Sequence, residues 1–149
     1  MIIEPRPATD GDLVALVAAS ERELAIRYND GGGFAPVDPG ARFMVAIVGR
    51  ATVGCGAIQP LAPDAAELKR LYVQPCYRGR GVARRLLSAL EALAVSSGYA
   101  RVRLETGIHQ PEAIGLYESL GYDPIPVFGP YEGNPYSRCF EKTMLVSSG

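Results

Sequence analysis

A glycine-punctuated turn, Arg78-Gly79-Arg80-Gly81-Val82-Ala83, joins a strand-like stretch to a strongly amphipathic helix, and this junction constrains the chain more than any other feature. Upstream, Glu67 to Val73 alternates with the period of two expected of a strand. Downstream, Val82, Leu86, Leu87, Leu90, Leu93 and Ala94 share one helical face, Arg84, Arg85, Ser88 and Glu91 lie elsewhere, and Gly98 ends the helix. Strand, glycine turn and helix in that order aim several backbone N–H groups and the positive helix end at one point. Such a point suits a phosphate or pyrophosphate.

Charge is distributed to match. Between Lys69 and Arg103 there are eight basic residues against the single acid Glu91, a local charge of +7; the rest of the chain carries seven basic residues against fifteen acids, or −8. The positive block surrounds the turn, as docking of several phosphate charges requires. A sequence pI near 5.8 is too low for a nucleic-acid-binding surface. The three cysteines Cys55, Cys76 and Cys139 are odd in number and lack C-x-x-C spacing, which argues against a disulfide framework or a zinc site. No apolar run approaches the roughly 20 residues of a membrane span, and the first residues lack a basic, apolar leader. The expectation is a cytoplasmic protein of one domain, residues 1–149, with no metal and no membrane or nucleic-acid partner.

The remaining pattern alternates strands and helices. Ile2 to Arg6 reads as a strand, and Thr9 or Asp10 caps a helix through Leu13, Leu16 and Val17. Asp30-Gly31-Gly32-Gly33, with Pro36, Pro39 and Gly40, reads as a long substrate-facing loop. Arg42 to Val48 and Thr52 to Gln59 read as strands joined at Gly49-Arg50, followed by a second loop from Pro60 to Ala65. Arg101 to Thr106 alternates, with Val102 and Leu104 opposite Arg103 and Glu105. A helix from Pro111 to Leu120 closes at Gly121, and Tyr122 to Phe128 and Ser137 to Met144 are final strands flanking a Gly/Pro/Tyr-rich loop.

Three phosphate motifs compete for the turn. A Walker loop requires G-x-x-x-x-G-K-[ST], which is absent. A dinucleotide fingerprint starting at Gly79 would have Arg84 in place of its third glycine and would follow the fourth strand, not the first, although Glu105 sits where a ribose-binding acid belongs. Arg78-x-x-Gly81-x-Ala83 instead resembles the Arg/Gln-x-x-Gly-x-Gly/Ala motif of the GNAT superfamily of acetyl-CoA-dependent N-acetyltransferases. Leu71 to Gly79 is similar to the superfamily's strand-to-turn segment, and Pro111 to Tyr122 resembles its second signature, A-x-x-L-Y-x-x-x-G-[FY].

The resemblance implies an α/β (α+β) fold with a central mixed, mostly antiparallel sheet of six to seven strands and about four flanking helices. It implies acetyl-CoA as co-substrate, its pyrophosphate held by the backbone of Arg80, Gly81, Val82, Ala83 and Arg84, with Gly79 and Gly81 keeping side chains clear. Its pantetheine arm would pair with the strand carrying Leu71, Tyr72 and Val73, and a donor there would favour the developing oxyanion. Gln110 stands where many relatives have an asparagine that holds the arm or loop. Tyr117 matches the family's general acid. Two glutamates compete for the base: Glu105, twelve residues before Tyr117, and Glu67, six before Val73; a water relay is the third option. Transfer is expected to be direct, without an acyl-cysteine, and His109 is too isolated to anchor a hydrolase or metal site.

The acceptor cleft of the family corresponds to Tyr28 to Gly40 and Gly129 to Tyr136, with Phe34, Tyr131 and Tyr136 as candidate walls. The acid excess outside the positive block favours a cationic amine. A small-molecule amine is the preferred acceptor; a protein N-terminus or lysine, or a non-catalytic acyl-CoA-binding role, are the alternatives. Homodimers are common in the family.

Overall fold

A computed structural model describes residues 1–28 and 36–144. The chain runs β1 (Ile2–Arg6), α1 (Gly11–Arg27), β2 (Arg42–Val48), β3 (Ala51–Ala62), β4 (Ala65–Val73), α2 (Val82–Ser96), β5 (Arg101–Gly107), α3 (Pro111–Ser119), β6 (Asp123–Ile125) and β7 (Ser137–Thr143). Short 3-10 turns occupy Pro75–Tyr77 and Gly129–Tyr131. The strands form one seven-stranded sheet in the order β1-β2-β3-β4-β5-β7-β6, in which only β4 and β5 pair in parallel. This is the expected mixed, mostly antiparallel sheet, with three α-helices among the described residues where about four were expected. No helix among those residues is long and apolar enough to cross a membrane.

Local chemistry sets the boundaries. The Asp10 carboxylate accepts from Leu13 N at 3.0 Å and caps α1. Strand alternation divides the core between two faces. Phe43, Val45, Cys55 and Ala57 meet Leu13 and Leu16 of α1. Ile58, Leu68, Val102, Leu104 and Phe140 meet Leu87, Leu90 and Ala94 of α2, with Tyr117 of α3 in the same cluster.

Two expected boundaries are corrected. The loop from Pro60 to Ala65 is mostly strand: β3 continues to Ala62, β4 starts at Ala65, and Pro63-Asp64 makes the turn. β2 begins at Arg42, opposite Ile58, so past Ile58 β3 has β4 as its one strand partner and Pro60 sits on an edge that needs no second ladder. The strand expected from Tyr122 to Phe128 is confined to Asp123–Ile125, where Pro124 and the following Pro126 limit the ladder.

Candidate active site

The site is created by a parting of two strands. β4 and β5 pair only from Ala65 to Glu67 against Arg101 to Arg103; beyond, Leu68–Val73 keeps β3 on one side and has no strand on the other. A bulge accompanies the parting: register slips between Cys55 and Ala57 of β3, and Arg70 adopts a left-handed φ of 56°. That conformation costs a non-glycine residue about 1–2 kcal/mol. In return it re-phases the strand, turning Leu71 and Val73 toward α2 and Tyr72 toward α1. A cleft of about 810 Å³ opens at the parting and runs from the Arg78–Arg84 turn to Tyr28 and Tyr136.

At one end lies the glycine turn. Gly79 and Gly81 have φ of 76° and 80°, and a Cβ on either would meet no atom within 4 Å, so backbone conformation and not crowding calls for glycine. Gly81 is the N-cap of α2 and offers no side-chain cap, which leaves the first N–H groups of the helix for an external acceptor. Arg84 lines the cleft and donates to Ser119 Oγ at 3.2 Å, tying α2 to α3. The Arg80 guanidinium lies 5.6 Å from the Tyr77 ring centre. Arg78 is differently engaged: its Nε donates to the Val73 carbonyl at 2.9 Å, and its two terminal nitrogens grip Glu23 of α1 at 2.9 and 2.7 Å. This pairing holds the Glu23 carboxyl below its ordinary value. An unpaired strand edge leading to uncapped helix N–H groups fits a ligand with an amide-bearing arm and an anionic head.

Midway, Tyr117 and Glu105 line the same cleft although they come from different faces of the sheet, which the parting joins. Tyr117 is buried, packed against Tyr122 and Phe140, with ring centres 5.8 and 6.5 Å away. Burial, and secondarily the Glu105 charge, raise its phenol pKa and keep it protonated. Glu105 is half-buried; burial raises its pKa, opposed by a hydrogen bond from Ser137 Oγ at 2.7 Å and by the Lys69 charge.

Glu67, the rival base, is differently placed. Its Oε2 accepts from Tyr131 Oη at 2.6 Å, and Lys69 Nζ lies 3.7 Å away. Lys69 in turn donates to Tyr131 Oη at 2.7 Å, and burial lowers the pKa of its ammonium. Glu67 and Lys69 are 4% and 6% exposed, so this three-residue network is spent on internal partners.

The far end is aromatic. Tyr28, His109 and Tyr136 pack with ring centres 5.0 to 6.0 Å apart. Tyr28 Oη accepts from His109 N at 3.1 Å and from Gln110 Nε2 at 3.3 Å, so Gln110 holds Tyr28 in this structure. A Cβ at residue 107 would overlap the Tyr28 hydroxyl, which is why β5 ends in Gly107. Sequence reasoning missed Lys69 and Ser137 as site residues and had Tyr28 only as the start of the acceptor-cleft loop. The loop residues Asp30 to Gly33 and Phe34 lie outside the described residues. Cys55 and Cys139 are buried and Cys76 is exposed; burial pushes the Cys55 thiol up to about 12, far from a reactive thiolate.

The chain has known relatives. A family model described as the acetyltransferase (GNAT) family matches residues 10–122. An "IAA acetyltransferase" of Azospirillum brasilense is 40% identical over 71% of this chain and 70% of its own length. The structure of a Klebsiella pneumoniae protein described as an acyl-CoA N-acyltransferase superposes with a TM-score of 0.83 at 34% identity, covering 97% of each chain. A GNAT family acetyltransferase from Elizabethkingia anophelis with acetyl-CoA bound has the same fold, with a TM-score of 0.74 at 16% identity over 96% of this chain and 97% of that one.

Proposed function

The chain belongs to the GNAT acetyltransferase family, and from that premise we propose that it moves the acetyl group of acetyl-CoA onto the primary amine of a small molecule, with Glu105 as base and Tyr117 as acid. One observation carries the assignment of the base. Among the described residues Glu105 faces the cleft without an ion-pair partner, whereas Glu67 is buried against Tyr131 and Lys69. A carboxylate raised above its ordinary range is the better proton acceptor near neutral pH.

The backbone of Arg80 to Arg84 and the Gly79–Gly81 turn would hold the pyrophosphate, and the free edge of Leu71, Tyr72 and Val73 would pair with the pantetheine arm. Acetyl-CoA supplies an electrophilic thioester, whose carbon–sulfur bond breaks as the bond from amine nitrogen to acetyl carbon forms. The Glu105 carboxylate takes the first proton from the ammonium, the form in which a primary amine mostly exists at neutral pH, and the second nitrogen proton, shed as the amide forms, makes good the one that Tyr117 gives up. Tyr117 gives its proton to the departing sulfur. The buried phenol is protonated at neutral pH and so has a proton to give. Arg78 contributes by fixing α1 to the start of the turn through Glu23.

Release of CoA thiol and mass detection of the acetylated amine, across a panel of small amines, peptide N-termini and lysine peptides, test the acceptor class. Tyr117→Phe is expected to lower kcat about 100-fold while the acetyl-CoA dissociation constant stays unchanged. An unaltered kcat would remove Tyr117 from the chemistry.

A further inference from the structure

The cleft lining shows which charges remain for an acceptor to use. Three carboxylates line it among the described residues: Glu23, Glu105 and Glu112. Glu23 is held by Arg78 and Arg27, and Glu112 by Arg27, so Glu105 is the one of the three without an ion pair. The cations near the acceptor end are committed in the same way. Lys69 is bound to Tyr131 and Glu67, Arg70 lies 3.7 Å from Glu21, and Arg27 also donates to the His109 carbonyl at 3.1 Å. The acceptor end therefore offers a single unpaired negative charge and no unspent positive charge among these groups.

Around that charge stand three tyrosine rings, Tyr131 and Tyr28 held by hydroxyl hydrogen bonds and Tyr136 by packing on Tyr28 and His109. Tyr131 is pinned between Lys69 and Glu67. Tyr28 is pinned over Gly107, two residues and about 7 Å along β5 from Glu105, by His109 N and Gln110 Nε2. Tyr136 precedes the Ser137 that anchors Glu105, and its own N–H donates to Asn134 Oδ1 at 2.9 Å. Rings held in place before the ligand arrives spare the ordering cost of binding.

Resting on the acetyltransferase reading, we infer that the acceptor is an aryl-alkyl primary amine: one ammonium facing Glu105, an aromatic body against Tyr131 on one side and the packed Tyr28–Tyr136 pair on the other, and no carboxylate beside the amine. A carboxylate next to the nitrogen would find no free cation at the acceptor end among the described residues and would be repelled by Glu105. A polyamine would bring second and third ammonium groups into a cleft whose other carboxylates are already paired. A short alkylamine would satisfy Glu105 and leave the rings unused.

Initial rates of thiol release with four probes at equal acetyl-CoA decide the matter: 2-phenylethylamine, phenylalanine, spermidine and butylamine. The expected order places kcat/KM for 2-phenylethylamine about tenfold or more above each of the others, a margin of the size that one good aromatic contact and one avoided unpaired charge supply. Tyr136→Ala is expected to lower the ratio of 2-phenylethylamine to butylamine about tenfold, and Tyr136→Phe to retain it. Phenylalanine or spermidine equalling 2-phenylethylamine would overturn the inference and leave the acetyltransferase reading standing, as would a Tyr136→Ala variant that slows all amines alike. Turnover of none of the four, or of any amine or peptide in the wider panel, by protein that still binds acetyl-CoA in calorimetry would overturn the reading and this inference together.

Discussion

Ser137 Oγ donates a 2.7 Å hydrogen bond to Glu105 Oε2, diagonally across the β5–β7 ladder in which Gly107 faces Ser137 and Glu105 faces Cys139. The bond favours the carboxylate form and opposes the burial that raises the Glu105 pKa. The base must be ionised, so kcat/KM falls as pH drops through that pKa. Ser137→Ala removes the opposing bond, so the pKa rises further and the acid limb moves to higher pH. The expected result is a kcat/KM about threefold lower at mildly acidic pH, converging on wild type at alkaline pH. A uniform loss across the pH range would mean that Ser137 acts through the fold alone.

Lys69, Tyr131 and Glu67 form a closed network in which each charge depends on the others. Lys69→Met leaves a buried carboxylate without its cation and is expected to cost about 3 kcal/mol in chemical denaturation. Adding Glu67→Gln removes the stranded charge and is expected to restore most of that loss. Two independent, additive losses in the double variant would contradict the coupling.

Gly107 is kept by the Tyr28 hydroxyl that lies over it. Gly107→Ala forces the end of Tyr28 away, together with its bonds to His109 N and Gln110 Nε2. The far end of a side chain can yield, so the chain should fold, while the acceptor KM rises about tenfold and the acetyl-CoA dissociation constant is unchanged. Weakened acetyl-CoA binding with an unchanged acceptor KM would place Tyr28 at the wrong end of the cleft.

Much of this architecture is legible in sequence because the relevant signals are local. The Asp10 cap, the Gly98 and Gly121 stops and the alternation of Arg101 to Thr106 each report their own segment, and the described residues carry them as expected. The errors arise where a local signal is overridden by position in the sheet. Pro60 reads as a breaker, yet it lies where β3 has lost its β2 neighbour. Arg70 reads as an ordinary strand residue, yet the bulge requires a left-handed backbone there. Choosing between Glu67 and Glu105 was beyond local reading for another reason. The partners that distinguish them, Tyr131 and Ser137, lie 64 and 32 residues away in sequence. Arg78 was legible as part of the turn, but its grip on Glu23 depends on a helix 55 residues earlier.

The pH dependence of kcat/KM for an accepted amine, compared between wild type and Glu105→Gln, tests the assignment of the base most directly. The expected result is a loss of about 100-fold or more at neutral pH, an unchanged acetyl-CoA dissociation constant, and disappearance of the acid limb, so that residual activity follows only the ionisation of the amine. A Glu105→Gln enzyme that keeps both its rate and its acid limb would assign the proton to another group and contradict the account.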